Sequence, residues 1–205
     1  MPKAVSDTRT TILRVALQLF LKKGYKDVSY QDLIKKTNLS KGAIYHHFAS
    51  KDELLVSVFE FLLETTRQPA IPDPENQVKD YESFRRLFVG TKVDQFKGLK
   101  ILMETKTLKF NKMLFFLEAI TENDKLRKVI MELLKDEKKF LEKCFLGLKK
   151  NNMLPKGKDP ALLAESLFWM LQGAEMLMFF VQSNKQEENF MKMYNKTIED
   201  FFKII

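Results

Sequence analysis

The sequence predicts an all-α protein of about nine helices, with an N-terminal three-helix head containing a helix-turn-helix, followed by a larger C-terminal helical bundle. Three observations carry that prediction. Only 7 glycines and 6 prolines punctuate 205 residues, roughly half the usual share and too few for a loop-rich or all-β chain. Apolar residues recur at the helical period over long segments. Three serines, spaced about ten residues apart, each open such a segment as a helix N-cap would. A content of 45% hydrophobic and 30% charged residues belongs to a folded chain and not a disordered one.

The first helix is written by Ile12, Val15, Ala16, Leu19 and Phe20, one stripe at i, i+3, i+4, i+7 and i+8. Gly24, after Lys22 and Lys23, ends it. Ser29 opens the second helix, with Asp32 at the capping-box position and Val28 and Leu33 placed as a hydrophobic staple. Ser40 opens the third, stapled by Leu39 and Ile44, and Ser50 with Glu53 forms a capping box for a long fourth over Leu54, Leu55, Val58 and Leu62. Asn38, between the second and third, suits a left-handed turn, and a tight turn there leaves the following helix able to enter a major groove. Pro69, Pro72 and Pro74 close the fourth helix. Further helices are expected near 76–89, 92–120, 124–150, 160–182 and 187–204, with breaks at Gly90 and Gly98. The resulting division is a head over 1–50, a connecting helix over 51–68 and a C-terminal domain over 69–205.

The net charge is +8, and half of it falls in the first 60 residues, which favours an acidic partner for that end. Met1–Arg14 lacks the pattern of a signal peptide. The most apolar stretch, 161–181, carries Glu165, Gln172 and Glu175, which a membrane span would not tolerate. A cytoplasmic protein without a membrane partner is expected. One cysteine, Cys144, and two histidines, His46 and His47, exclude a disulfide framework and a conventional metal site. Adjacent histidines on a helix point about 100° apart and do not converge on one ion. With no glycine-rich phosphate loop and no nucleophile motif, the chain reads as a non-enzyme without a cofactor.

In the segment Lys41-Gly42-Ala43-Ile44-Tyr45-His46-His47-Phe48, Ile44 and Phe48 share one face, and Gly42, Ala43, Tyr45 and His46 point away from it. That outward face is small where a backbone can approach and hydrogen-bonding elsewhere, which suits phosphate and base contacts. Lys41 and Lys51 each follow an N-cap serine, beside helix N-termini that attract phosphate. Ordinary solvated residues of a small bundle would show the same composition.

From Thr8 to about Leu62 the chain resembles the DNA-binding domain of TetR/AcrR-family transcriptional regulators. The likeness rests on Ile12–Phe20 with Gly24-Tyr25, on Val28–Ile34, on Leu39–Phe48 and on Ser50–Leu55. It implies a homodimer whose two heads occupy successive major grooves of a near-palindromic double-stranded DNA operator. Matched positions imply Tyr45, His46 and Lys51 as phosphate contacts, Ser29 and Ser40 as caps holding helix N-termini near the backbone, and Lys41, Gly42 and Ala43 as base-facing. The family often has glycine where this chain has Asn38, and small alanines near Ile34 and Thr37, so packing beneath the third helix should differ slightly.

The C-terminal region resembles the family's ligand-binding and dimerisation domain. Met191, Tyr194, Ile198, Phe201 and Ile205 are spaced 3, 4, 3, 4, the narrow seam of a helix packing on helices. With Trp169, Met170, Gly173 and Leu177 they are expected to form a dimer interface, the alternative being packing within one subunit. Phe88, Met103, Phe110, Met113 and Phe116, with the polar–aromatic set Trp169, Gln172 and Glu175, are candidates for contacts to an unknown small apolar ligand; filling the core would explain each as well. The functional expectation is a repressor released by such an effector. Alternatives are the same fold without an effector, an activator, and a membrane-surface or adaptor protein.

Overall fold

The computed structural model describes residues 4–66, 73–102, 112–178 and 186–205. Among them ten helices and no strand occur: α1 (Ala4–Lys23), α2 (Tyr30–Thr37), α3 (Lys41–His47), α4 (Lys51–Thr66), α5 (Pro74–Gln77), α6 (Tyr81–Leu102), α7 (Lys112–Glu122), α8 (Asp124–Lys150), α9 (Pro160–Met178) and α10 (Gln186–Ile204). None of them is long and apolar enough to cross a membrane.

The helix ends follow their capping chemistry. Gly24 adopts φ 87°, and its N–H donates to the Phe20 carbonyl at 2.9 Å. Ser29 Oγ accepts from the Asp32 N–H at 3.2 Å, while the Asp32 carboxylate accepts from the Ser29 N–H at 2.9 Å. Ser40 Oγ accepts from the Ala43 N–H at 3.1 Å. Asn38 sits at φ 56°, ψ 21°, the left-handed conformation that the short turn demands. At α4, Ser50 Oγ accepts from the Glu53 N–H at 3.0 Å, but the Glu53 carboxylate reaches one residue further back than expected, to the Ala49 N–H at 2.8 Å.

The chain divides into two compact units, Met1–Arg67 with Gly98–Ile130, and Gln68–Lys97 with Met131–Ile205. In the first, α1 packs on α2, α4 and α7, and α2 on α3. Its core joins Ile12, Ala16, Leu17 and Phe20 to Leu33, Ile44, Phe48, Leu55 and Phe59, all buried. Phe115 of α7 is fully buried among them and stacks on Phe20 at 5.9 Å between centroids. In the second unit, α9 lies along α10, and the core is aromatic: Phe84, Phe88, Phe145, Phe168, Tyr194 and Phe201.

Two expectations are corrected. α6 runs unbroken through Gly90 and Gly98, because a lone helical glycine costs only about 1 kcal/mol, which a buried apolar face outweighs. The α10 seam packs inside its own subunit: Tyr194 and Ile198 are fully buried and Phe201 nearly so, with Met191 and Ile205 packed against the same core. Tyr194, Ile198 and Phe201 are therefore covered by their own chain, while Met191 and Ile205 stay half-buried at the edge of that core. The face left bare belongs to α9, where Leu162, Trp169, Met170, Gly173, Met176 and Leu177 are exposed, opposite the buried Leu163, Ala164, Leu167, Phe168 and Leu171.

Candidate nucleic-acid interface

α3 is fixed from beneath by Ile44 and Phe48, both fully buried, and its other face lies open. Lys41, Gly42, Tyr45 and His46 are exposed and Ala43 is half-buried. A Cβ built on Gly42 meets nothing nearer than Ser40 Oγ at 3.9 Å, so the space beside it is open for an approaching backbone. Ser29 and Ser40 are exposed while serving as the caps of α2 and α3. The surface therefore offers a cation, a phenol, an imidazole and a gap without a side chain, the donor set for phosphate and base-edge contacts.

Lys51 has two partners of its own. Its Nζ donates to the Lys26 carbonyl at 3.1 Å and lies 4.4 Å from the centre of the Tyr25 ring. Burial lowers its pKa, and Glu118, Asp27 and Asp52 oppose that shift. Tyr25 is itself tied down, because its hydroxyl donates to Asp52 Oδ1 at 2.5 Å and its N–H donates to Glu118. Burial, followed by the hydrogen bond to Asp52, raises the Tyr25 phenol well above its usual range. Asp32 is held far below the usual carboxylate range, first by the Lys23 ammonium at 2.7 Å and then by the Ser29 N–H and hydroxyl.

Three pairings of aromatic or cationic side chains at this surface were not legible in the sequence. Tyr30 stacks on Tyr45. Tyr25 carries Lys51. Arg9 lies over the Phe48 ring at 5.1 Å and donates to Ser57 Oγ at 3.3 Å. Each pairing spans 15 residues or more, beyond the reach of a local pattern.

Among the described residues of the second unit, a charged cluster lies within the aromatic core. Lys92, buried, pairs with Glu137 at 2.7 Å and Glu175 at 3.1 Å, and Gln172 Nε2 donates to Glu137 at 3.4 Å. Phe88 stacks on Tyr194 at 5.8 Å, and Lys92 lies 5.5 Å from the Tyr194 ring centre. Of the ligand candidates, Phe88, Gln172 and Glu175 thus converge, while Trp169 is 61% exposed on the other face of α9. Met103 and Phe110 lie outside the described residues, as do the side chains of Met113 and Phe116. Cys144 is fully buried, and burial pushes its thiol up to about 12, so it stays an unreactive thiol at neutral pH. Among the described residues no group of three His, Cys, Asp or Glu side chains could hold a metal ion.

Residues 12–58 match the family model for bacterial regulatory proteins of the tetR family. The HTH-type transcriptional regulator YuxN of Bacillus subtilis (strain 168) is 42% identical over 55 residues, 27% of this chain and 19% of that protein. The chain spans between a fifth and about a third of the curated relatives it matches first. Over nearly the whole chain the fold is similar to that of the TetR-family regulator PfmR from Thermus thermophilus. There the TM-score is 0.60 and the identity 22%, covering 92% of this chain and 97% of that one. A transcriptional regulator from Saccharomonospora viridis, solved in complex with choline, gives a TM-score of 0.64 at 17% identity, with 97% and 96% covered.

Proposed function

We propose, from the premise that residues 12–58 are an N-terminal domain of the tetR family of bacterial regulatory proteins, that this chain is a DNA-binding transcriptional regulator. One observation carries the reading: α3 keeps Lys41, Gly42, Tyr45 and His46 bare while its apolar side is buried. Ser29, Ser40 and Ala43 complete the contact set, and Lys51 supplies a phosphate-facing cation from the start of α4. Residues 1–50 act as the head, 51–68 as the connecting helix and 69–205 as the ligand-binding and dimerisation part, in the cytoplasm. The working unit is a homodimer on a near-palindromic operator. Its interface is the bare face of α9, with Trp169, Met170, Gly173 and Leu177 as its apolar contacts, a contiguous patch of the kind that marks an association surface.

The regulator is a repressor released by a small effector with an apolar body. Buried ion pairs are weak sources of stability, so a charged cluster set among Phe88, Phe140 and Tyr194 is better explained by recognition than by folding. Gln172 and Glu175 would anchor the effector's polar group and Phe88 its body. An effector acts only through unequal affinity for the two head spacings.

Selection from a random duplex pool by the full-length protein tests the reading. The expected result is enrichment of a near-palindrome, with a binding slope against salt that Lys51→Ala makes shallower. Failure to retain any duplex in dilute buffer would overturn it.

A further inference from the structure

Tyr30 plays no part in the contact set above, yet its placement ties it to that set. It is the first residue of α2, directly after the Ser29 cap, and its ring is partly buried. The ring lies face to face with Tyr45 of α3, with centroids 4.6 Å apart and planes 14° from parallel. Lys41 Nζ stands 5.6 Å from the centre of the same Tyr45 ring. Tyr45 is 40% exposed on a helix of seven residues, where a lone tyrosine would spread over several staggered rotamers. The stack selects one of them before any ligand arrives.

We propose that Tyr30 is a positioning residue for DNA recognition: stacked on Tyr45, it holds the Tyr45 hydroxyl, with the Lys41 ammonium beside that ring, ready for the phosphodiester backbone. The inference rests on the regulator reading and adds to it a residue that makes no DNA contact of its own. Pre-organisation of this kind lowers the ordering cost of binding. The ring makes the stack; the buried Tyr30 hydroxyl forms no hydrogen bond of ordinary geometry, although it lies close enough to the Tyr45 hydroxyl to interact with it. Phenylalanine keeps the ring and should largely replace Tyr30, and an aliphatic residue should not.

The test is a double-mutant cycle on the full-length protein. The probe is a duplex enriched by the wild-type chain from a random pool, and binding is read by fluorescence anisotropy. Tyr30→Leu should weaken binding about tenfold across the two heads of a dimer, and Tyr30→Phe should stay within about twofold of wild type. In a Tyr45→Ala background, Tyr30→Leu should cause no further loss, because the group it positions has gone. Additive losses would overturn the inference and leave the regulator reading standing, and so would full affinity in Tyr30→Leu. Wild-type protein that retains no duplex would bring down both. If Tyr30→Leu lowers the melting temperature, Tyr30→Met supplies the ring-free variant. In DNA-free protein, three-bond NMR couplings should then show the Tyr45 χ1 averaged in the ring-free variant and fixed in Tyr30→Phe. A fixed χ1 in both would overturn the inference.

Discussion

Replacing Lys92 by methionine keeps most of the side-chain volume and removes the cation that pairs with Glu137 at 2.7 Å and with Glu175 at 3.1 Å. Breaking a buried pair by deleting one partner typically costs about 3–5 kcal/mol. Here the two carboxylates keep 23% and 20% exposure, and water softens their loss, so about 2–4 kcal/mol is expected. For a chain of this length that lowers the melting temperature by roughly 4–16 °C. The pH dependence has a definite sign. Burial pulls the Lys92 pKa down, but Glu137, Tyr194 and Glu175 outweigh it and hold the ammonium well above its ordinary range. A cation whose folded pKa is raised stabilises fully below its unfolded value of about 10.4, and the effect is lost only as pH climbs through the folded value. Calorimetry at pH 7, 8 and 9 should therefore show the same deficit in Lys92→Met at each pH. The triple variant with Glu137→Gln and Glu175→Gln, which removes the two carboxylates that Lys92 pairs with, should recover most of the loss while losing the proposed effector response. An unchanged melting temperature in Lys92→Met, or a deficit that vanishes by pH 9, would refute the reasoning.

Further outcomes follow from the same structure. A Cβ on Gly147 would stand 2.5 Å from the Glu75 carbonyl oxygen and 2.6 Å from that of Val78, so Gly147→Ala should cost about 1–3 kcal/mol. Gly90→Ala, with nothing within 4 Å, should gain about 0.5–1 kcal/mol; urea titration of the two variants reads the opposite signs. Leu177→Lys, at a position 67% exposed, should leave subunit stability within about 0.5 kcal/mol yet shift sedimentation from dimer to monomer. Asn38→Val should cost about 1–2 kcal/mol because its φ is positive, and Asn38→Gly should melt close to wild type.

The head was legible because its determinants are local. Ser29 and Asp32, Ser40 and Ala43, and Asn38 act within three or four residues, and their chemistry can be read from spacing alone. The inward and outward faces of α3 followed from helical period in the same way. Periodicity reports that a face is buried and not what covers it, which is why the Met191–Ile205 seam pointed to a second subunit when its cover is the chain's own aromatic core. On α9 the sequence singled out Trp169, Met170, Gly173 and Leu177 but not Leu162 and Met176, because Leu162, Met176 and the buried Leu163, Leu167 and Leu171 are alike in type and a largely apolar helix gives little phase. Gly147 gave no sign either, since the backbone it approaches lies about 70 residues earlier.

In the proposed dimer the fixed groups of the head and the charged cluster of the second unit are linked by arithmetic. The α3 surface is small, Tyr45 stacks on Tyr30, and Lys51 lies against the Tyr25 ring and the Lys26 carbonyl, so in the proposed reading each head would meet DNA with little left to order. Rigid heads make the spacing between them the controlled variable, because a second head that misses its groove forfeits the effective concentration that pairing supplies, a factor of about 100 to 10,000. An effector that releases the operator 100-fold must bind the released form 100-fold better, which across two identical sites is about tenfold each, or ~1.4 kcal/mol per site. One charge-assisted hydrogen bond made in only one of the two forms supplies that much. In the proposed regulator, one such bond from the effector to the cluster of Lys92, Glu137 and Glu175 would be enough to discriminate between the two forms.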